Sequence, residues 1–413
     1  MDFDLLELAL KVGFVLGRSA IRSVLLGRDT RTSGEALKSA FSSGLLASGC
    51  SVYEAGIAPT PTVAYACRNF AAGVVITASH NPPEYNGIKL VNPDGAAFDS
   101  AQRQLVEEEI LRGEFGPLSW DSLGRLQPYP TAIEEHMERI LQDFPRLKVR
   151  VVLDCGCGAG SVITPFLLQK LGCEVLTMNS HLSGFFPRPA EPTEENLTSL
   201  IKVVRANRAA VGLAHDGDAD RLMAVDDRGR FIPGDKLLII LAQSLQARKV
   251  VTTLDASMVL EEYGLEVERT RIGDPYVSEA LRREGDFGAE PTGCWIFPQV
   301  SLCPDGVYAA AFLTWVASEK RLSTLVDKIP SYPLLRKSLS RATFDPEALS
   351  AKLEALNPDS MSRLDGLKLS FSDGWVLLRP SGTEPKIRVT IEAKTERRVR
   401  ELFSQVSRVL QDA

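Results

Sequence analysis

Short apolar runs, each followed by a polar turn and then by a helical pattern, recur through most of this 413-residue chain. Two of them, Ala72–Ile76 and the VRVVLD run at 149–154, are too short for buried helices and are typical of buried strands. Apolar strands that alternate with helices predict an α/β fold with mostly parallel sheets. Because a single core rarely grows beyond about 250 to 300 residues, the repetition also predicts several domains.

The order of the patterns divides the chain into four predicted domains. Three similar α/β domains are expected at residues 1–130, 131–234 and 235–331. The stretch 332–413 differs, because it has paired strands with Asp373 and Gly374 at the turn between them. We therefore expect a smaller C-terminal α+β domain with antiparallel pairing.

The composition argues against several classes of partner and location. There are 47 Lys and Arg residues against 53 Asp and Glu residues, a net charge of −6, which argues against a nucleic-acid-binding surface. No apolar run approaches the roughly 20 residues of a membrane span, and the acidic start is unlike a signal peptide. The seven scattered cysteines favour reduced thiols over disulfides. We expect a cytoplasmic protein without membrane contacts.

The segment 77–89, TASHNPPEYNGIK, places a serine just after a buried apolar run. Functional groups of open α/β sheets lie at this carboxyl edge, so Ser79 is a candidate nucleophile. No GxSxG elbow surrounds it, which favours phosphoryl transfer over acyl transfer. His80 and Lys89 would then handle protons and negative charge. The alternative is a simple turn at Asn81 and Pro82.

The segment DGDADR carries three carboxylates at alternate positions, Asp216, Asp218 and Asp220. On an extended chain such side chains point the same way and could converge on one cation. Hard oxygen ligands without sulfur or imidazole favour Mg²⁺. A calcium EF-hand loop is excluded because it needs glycine where Arg221 stands. A solvated acidic loop is the alternative.

Two further segments have polar groups suited to a sugar phosphate. The segment RPSGTEP combines a guanidinium, two hydroxyls and a glycine backbone, which is typical of a phosphate cradle. Its candidate residues are Arg379, Ser381, Gly382 and Thr383. The segment AEPTG offers Glu290 and Thr292 to sugar hydroxyls.

The glycine-rich segment VVLDCGCGAG at 151–160 has a competing interpretation. Its GxGxG pattern after a strand matches the turn of nucleotide-binding proteins and methyltransferases. An ordinary strand-to-helix turn needs the same glycines, and no other segment completes a cofactor site. S-adenosylmethionine binding would distinguish a methyltransferase.

Together, TASHNP, DGDADR, AEPTG and RPSGTEP resemble the motifs of the α-D-phosphohexomutase family, in the same order and spacing. That family includes phosphoglucomutase, phosphomannomutase and phosphoglucosamine mutase, and the resemblance spans nearly the whole chain. It implies four domains around one cleft, with Ser79 as a phosphoserine that also ligates Mg²⁺ beside Asp216, Asp218 and Asp220. Catalysis would further involve His80, Lys89 and Arg221. The sugar would contact Glu290 and Thr292, and its distal phosphate would contact Arg379, Ser381, Gly382 and Thr383.

The resemblance also implies an activity. Such an enzyme moves a phosphoryl group between O1 and O6 of a hexose phosphate through the phosphoserine and a hexose 1,6-bisphosphate, which also serves as activator. The loop AEPTGCWIFP is similar to that of archaeal-type members assigned to glucosamine phosphate, so glucosamine phosphate is the favoured substrate, with glucose and mannose phosphates as competitors. The expected state is a monomer or homodimer.

Some positions depart from the family pattern. Members usually begin with a strand and an arginine-bearing loop, whereas this chain starts almost directly with the first helix. Cys294 stands where many members have histidine, and Cys157 where asparagine is common. The alternative is therefore a catalytically weak sugar-phosphate-binding homologue that lacks the usual N-terminal strand. A turnover assay separates the two hypotheses.

Overall fold

The computed structural model describes residues 3–19, 21–116, 119–340, 345–380 and 386–411. Three α/β domains precede a smaller C-terminal domain, so the predicted fold class is confirmed. Within the described residues, the longest apolar helices are still too short or too polar to cross a membrane.

The first domain is built on a mixed sheet in which β1 pairs in parallel with β2 and β3, while β4 is antiparallel to β3. The strand order is β4-β3-β1-β2-β5. Its elements are α1 (Phe3–Arg18), β1 (Ser23–Arg28), α2 (Gly34–Ala47), β2 (Ser51–Ile57), α3 (Thr60–Ala66), β3 (Ala72–Ile76), β4 (Ile88–Val91), α4 (Ser100–Arg112) and β5 (Leu126–Pro128).

The second domain has the same plan, with parallel strands β6, β7 and β8, of which β7 is at the edge of the sheet, and antiparallel β9 and β10. The strand order is β10-β9-β8-β6-β7. Its elements are α5 (Ala132–Leu141), β6 (Arg150–Asp154), α6 (Thr164–Lys170), β7 (Glu174–Met178), α7 (Thr198–Asn207), β8 (Val211–His215), β9 (Leu222–Val225) and β10 (Phe231–Ile232).

In the third domain β11 pairs in parallel with both β12 and β13, and β14 is antiparallel to β13. The strand order is β12-β11-β13-β14. Its elements are α8 (Gly234–Leu245), β11 (Lys249–Thr253), β12 (Glu266–Thr270), α9 (Asp274–Leu281), β13 (Phe287–Glu290), β14 (Cys294–Ile296), α10 (Gly306–Glu319) and α11 (Leu322–Lys328).

The fourth domain is an antiparallel sheet with helices, as expected for an α+β unit. The strand order is β15-β19-β18-β17-β16. Its elements are β15 (Leu334–Ser340), α12 (Pro346–Leu353), β16 (Ser360–Ser362), β17 (Leu367–Phe371), β18 (Gly374–Pro380), β19 (Lys386–Ala393) and α13 (Glu396–Gln411).

The second and third domains share one continuous apolar core, whereas the first and fourth have cores of their own. Helix α10 joins the two sheets, because it is apolar around most of its surface and packs against β8 and β14. The loops that follow β8 and β13 are thereby held on a common support. Parallel strands expose functional loops at their carboxyl ends, so this arrangement places the loops of two domains beside each other.

The fourth domain contacts the third through a buried lysine. The Lys368 ammonium donates to the Leu254 carbonyl at 2.6 Å and lies 4.5 Å from the centre of the Trp375 ring. Burial, reinforced by the nearby Arg269 charge, lowers the pKa of Lys368 to about 7. Lys368 is therefore largely neutral above neutral pH in the folded protein, while it stays protonated in the unfolded chain.

We expect Lys368 to make folding stability depend on pH. The unfolded chain binds a proton that the folded chain lacks between about pH 7 and pH 10, so stability is lost as pH falls through that window. Raising the pH from about 7.5 to 9 should increase the unfolding free energy by about 2 kcal/mol more in the wild type than in Lys368→Met. Urea denaturation at both pH values measures this difference, with exposed Lys320→Met as control. Equal pH dependence in the wild type and Lys368→Met would contradict it.

Candidate active site

The serine loop begins where β3 ends and is held in an unusual backbone conformation. Ser79 has φ of +50° and its side chain is buried. A non-glycine residue in this region costs roughly 1 to 2 kcal/mol, so surrounding contacts must hold it. The Ser79 amide donates to Thr77 Oγ1 at 2.9 Å, and the Thr77 hydroxyl donates to Asp29 Oδ2 at 2.7 Å. These bonds fix the Ser79 hydroxyl at the carboxyl edge of the sheet.

Arg31 holds this loop from the neighbouring strand connection, and sequence reasoning missed it. Its guanidinium is fully buried and pairs with Asp29 at 2.9 Å. The remaining donors reach carbonyl oxygens of the serine loop: those of Ser79 at 2.9 Å, Asn81 at 2.8 Å, Pro82 at 2.6 Å and Tyr85 at 2.9 Å. The polar turn that follows β1 could have pointed to Arg31, because β1 pairs in parallel with β3 and the two strands therefore end at the same edge of the sheet.

We expect Arg31→Lys to lower kcat by roughly 10²-fold, because an ammonium cannot supply the fork of donors that positions the Ser79 loop. The folded content, measured by circular dichroism, should remain. Exposed Arg112→Lys is the matched control. Steady-state turnover checks the result, and a kcat within threefold of the wild type would contradict the role of Arg31.

The acidic loop follows β8 and brings its three carboxylates together. Asp216, Asp218 and Asp220 each offer an oxygen within 4.8 Å of the others, and all three are buried. They converge through a tight turn in which Ala219 has φ of +56°, rather than along the extended chain that the alternate spacing suggested. A solvated acidic loop is excluded by this burial.

The acidic loop and the serine loop meet. The Ser79 hydroxyl donates to Asp216 Oδ2 at 2.7 Å. Burial and the charges of Asp220 and Asp218 raise the pKa of Asp216 well above its ordinary value. The residues that sequence reasoning selected on two separate domains therefore form one cluster.

Lys89 compensates part of this negative charge. Its ammonium donates to Asp218 at 2.6 Å and to Asp220 at 2.5 Å, while the Thr60 hydroxyl also donates to Asp218. Burial alone would lower the pKa of Lys89, but the two carboxylates raise it well above its ordinary value. Lys89 is thus a fixed cation within the cluster.

The cluster has the donor set of a magnesium site. Two buried carboxylate oxygens, Oδ1 of Asp218 and Oδ1 of Asp220, lack a hydrogen-bond partner among the described residues. Buried oxygens of this kind are costly unless a cation or donor satisfies them. Three convergent carboxylates without sulfur or imidazole fit a hard divalent cation. The triad can therefore hold a metal.

His80 lies beside the Ser79 hydroxyl and is half-buried. Its Nδ1 is 3.3 Å from the Ser79 hydroxyl oxygen. Burial, together with the charge of Arg221, lowers the pKa of His80. The imidazole is therefore neutral near pH 7 and has one nitrogen free to accept a proton.

The loop after β13, which holds the predicted sugar ligands, is joined to the acidic loop by hydrogen bonds to backbone groups. The Leu222 amide donates to the Gly293 carbonyl at 2.9 Å, and the Trp295 indole donates to the Leu222 carbonyl at 2.8 Å. Arg221 forms a backbone bridge to Cys294, which is buried. The predicted sugar ligands Glu290 and Thr292 therefore lie next to the acidic loop.

The predicted sugar ligands differ in exposure. Glu290, the last residue of β13, is only 8% exposed, whereas Thr292 is exposed on the loop. Burial and the charge of Asp274 raise the pKa of Glu290 to about 7. The Glu290 carboxyl is accordingly poised between its charged and neutral forms at neutral pH.

One of the four predicted phosphate-cradle residues, Arg379, lies in the described part of the fourth domain. Arg379 lies at the end of β18 and pairs with Asp365 at 2.9 Å. The other predicted cradle residues, Ser381, Gly382 and Thr383, lie outside the described residues. The structure therefore places only the arginine of this segment.

The glycine-rich turn after β6 supports the acidic loop. The Ala159 amide donates to the Gly217 carbonyl at 2.8 Å, and a Cβ at Gly158 would lie 2.5 Å from that oxygen. Arg188 ties this turn to the acidic loop by bonding both Asp154 and the His215 carbonyl. Close backbone approach explains Gly158, and Gly156 has a positive φ of +58°, so an ordinary turn accounts for both glycines without a nucleotide cofactor.

Comparison with known families matches the chain to all four domains of one family. Residues 4–117, 127–229 and 233–332 match "Phosphoglucomutase/phosphomannomutase, alpha/beta/alpha domain" I, II and III respectively. Residues 338–409 match the C-terminal domain of the same family. The matches cover most of the chain.

Individual relatives agree with this family. A Methanococcoides burtonii protein described as "Probable phosphoglucosamine mutase" is 45% identical over 417 residues, covering 98% of this chain and 95% of that protein. A Methanosarcina acetivorans protein of the same description is 46% identical, with the same coverage of both chains. The crystal structure of a phosphoglucomutase/phosphomannomutase family protein from Burkholderia thailandensis has a TM-score of 0.89 and 27% identity, covering 100% of this chain and 94% of that one.

Proposed function

This chain belongs to the phosphoglucomutase/phosphomannomutase family, and we propose that it interconverts glucosamine 1-phosphate and glucosamine 6-phosphate, with Ser79 carrying the transferred phosphoryl group. The observation that carries the proposal is the placement of the buried Ser79 hydroxyl 2.7 Å from Asp216, in one cluster with Lys89 and His80. The glucosamine assignment is supported by the descriptions of the archaeal relatives.

In the first half-reaction, phosphorylated Ser79 gives its phosphoryl group to the free hydroxyl of the hexose phosphate. The bond between phosphorus and Ser79 Oγ breaks, a bond to the sugar oxygen forms, and the proton of the sugar hydroxyl passes through a base to Ser79 Oγ, which becomes a hydroxyl again. The product at this point is the 1,6-bisphosphate. We assign Lys89 and Arg221 the task of balancing the negative charge of the transferring oxygens.

In the second half-reaction the bisphosphate turns in the cleft, and its other phosphate returns to Ser79. The Ser79 hydroxyl must then lose its proton, and two acceptors are within reach, Asp216 and His80. Since Asp216 is committed to the metal in this scheme, neutral His80 is the proposed base. A hexose 1,6-bisphosphate supplied from solution would phosphorylate Ser79 in the same way and act as activator.

We propose that Asp216, Asp218 and Asp220 hold Mg²⁺ together with the oxygen carried by Ser79. When bound, the ion supplies positive charge to the transferring phosphoryl oxygens. The unpartnered oxygens of Asp218 and Asp220 support this assignment. Lys89, which bonds both carboxylates, would keep them in place between turnovers.

The distal part of the substrate is assigned to the third and fourth domains. We propose that Glu290 and Thr292 bind ring hydroxyls and that Arg379 binds the phosphate that is not reacting, together with Ser381, Gly382 and Thr383. Since both ends of the bisphosphate must occupy each position in turn, these contacts have to suit two orientations of the sugar. Each ring hydroxyl can both donate and accept a hydrogen bond, so the same protein groups can bind hydroxyls in either orientation of the sugar.

The experiment that tests the proposed function compares kcat/KM for the 1-phosphates of glucosamine, glucose and mannose. We expect all three to react and glucosamine 1-phosphate to have the highest value, because a site that misses one hydrogen bond loses only about 1 to 3 kcal/mol. A glucosamine value far below both others would overturn the substrate assignment. Turnover of none would favour the sugar-phosphate-binding alternative.

A further inference from the structure

The carboxylate of Asp218 is held by one of its two oxygens. Its Oδ2 accepts two hydrogen bonds, one from the Lys89 ammonium at 2.6 Å and one from the Thr60 hydroxyl. Its Oδ1 is buried and has no hydrogen-bond partner among the described residues. Because both donors bind the same oxygen, the other oxygen is left available as a metal ligand.

The two donors differ in how firmly they fix the carboxylate. A carboxylate bonded by a single donor can still rotate about its Cβ–Cγ bond, because the preference for any one angle of that bond is weak. Lys89 donates from the end of a long, flexible side chain and also bonds Asp220 at 2.5 Å. Thr60 has a short β-branched side chain with a stiff χ1 angle, so its hydroxyl is the more rigid donor.

The backbone of Thr60 also binds the acidic loop. Its amide donates to the Asp218 carbonyl at 2.9 Å, and the residue is buried. Thr60 therefore contacts both the main chain and the side chain of Asp218, although Thr60 lies in the first domain and Asp218 in the second. Through these two contacts the first domain controls the orientation of a proposed metal ligand.

Helix α3, which begins at Thr60, is anchored to the second and third domains. The Thr62 hydroxyl oxygen lies 3.0 Å from His136 Nδ1 on α5, and His136 Nε2 donates to Asp305 Oδ2 at 2.9 Å. All three side chains are buried. Asp305 caps α10, because its Oδ1 accepts from the Tyr308 amide at 2.8 Å. Since α10 also packs against β8, which leads into the acidic loop, α3 and that loop are held by the same helix.

We propose that Thr60 is a positioning residue for the metal: by donating to Asp218 Oδ2, its hydroxyl orients Asp218 Oδ1 toward the bound Mg²⁺. This inference rests on the proposed mutase function and its magnesium site. Thr60 itself contacts neither the ion nor the transferring phosphoryl group in this scheme. Mg²⁺ demands near-ideal octahedral geometry, whereas Ca²⁺ is bound in a more flexible geometry, so a misplaced ligand should weaken Mg²⁺ binding more than Ca²⁺ binding.

Thr60→Val tests the inference, since it removes the hydroxyl but keeps the branched shape and the backbone amide. We expect the affinity for Mg²⁺, measured by calorimetry without substrate, to fall about 10-fold, while the affinity for Ca²⁺ falls less than about threefold. Thr60→Ser keeps the hydroxyl, so its affinity for Mg²⁺ should stay within about threefold of the wild type. Thr314→Val is the matched control, because Thr314 is also buried and its hydroxyl donates to the Ala310 carbonyl of its own helix. The control should keep the wild-type affinity for both ions.

A second variant, Thr60→Ala, removes the hydroxyl without placing a methyl group against Asp218, and it should show the same selective loss of Mg²⁺ affinity. Circular dichroism confirms that each variant is folded. Wild-type affinity for Mg²⁺ in Thr60→Ala, an equal loss for Mg²⁺ and Ca²⁺, or a loss in Thr60→Ser as large as in Thr60→Val would overturn the inference. In those cases the proposed function would stand. Wild-type protein that binds no Mg²⁺ would overturn both the metal site and the inference, whereas wild-type protein that turns over none of the sugar phosphates would overturn the function itself.

Discussion

Ser79→Ala is expected to lower kcat by about 10⁴- to 10⁶-fold, because it removes the oxygen that carries the phosphoryl group between the two half-reactions. The fold should persist, since the Ser79 backbone contacts with Arg31 and Thr77 do not involve the hydroxyl. The matched control is Ser39→Ala on the exposed face of α2, whose hydroxyl bonds only the Glu35 carbonyl. Turnover with saturating Mg²⁺ and hexose 1,6-bisphosphate measures both variants.

The result for Ser79→Ala separates covalent from direct transfer. If turnover in Ser79→Ala stayed within tenfold of the wild type, the phosphoryl group would have to travel by another route. In that case the hydrogen bond between Ser79 and Asp216 would be structural, and the assignment of His80 as the base would fail with it.

Asp218→Asn is the second substitution with a large expected effect. It removes one negative ligand while it keeps the shape of the side chain, so kcat should fall by at least about 10²-fold. The affinity for Mg²⁺, measured by calorimetry without substrate, should fall by at least about 10-fold. Exposed Asp121→Asn serves as control and should change neither quantity.

The two readouts for Asp218→Asn serve different purposes. Loss of turnover alone could follow from a displaced Lys89, because that lysine bonds Asp218 directly. Loss of Mg²⁺ affinity tests the metal assignment itself. Wild-type affinity and wild-type metal dependence in Asp218→Asn would contradict a metal site at the acidic loop.

The fold class could be predicted from the sequence because it depends on local patterns of apolar and polar residues. Apolar runs such as Ala72–Ile76 and Val211–His215 are buried central strands, and polar segments follow them at the carboxyl edge of each sheet. Ser79 and Asp216 could be selected for the same reason, since both come directly after such strands. Their mutual contact depends on the loops of two domains meeting, which no local pattern encodes.

The residues that sequence reasoning missed are those whose role depends on tertiary contacts. Arg31 looked like part of a polar turn, and only the parallel pairing of β1 with β3 brings its guanidinium to the serine loop. The glycines at 156–160 had the pattern of a cofactor turn, but a Cβ at Gly158 would clash with the carbonyl oxygens of Asp216 and Gly217 in the acidic loop.

The central claim is that Ser79 carries the transferred phosphoryl group, and peptide mapping of the phosphorylated protein tests it most directly. The protein is incubated with glucosamine 1,6-bisphosphate and Mg²⁺, and its intact mass and phosphopeptides are determined by mass spectrometry. We expect a mass increase of one phosphoryl group, located on Ser79, and its loss on incubation with glucosamine 6-phosphate. A phosphoryl group on another residue, or active protein that acquires none, would contradict the claim.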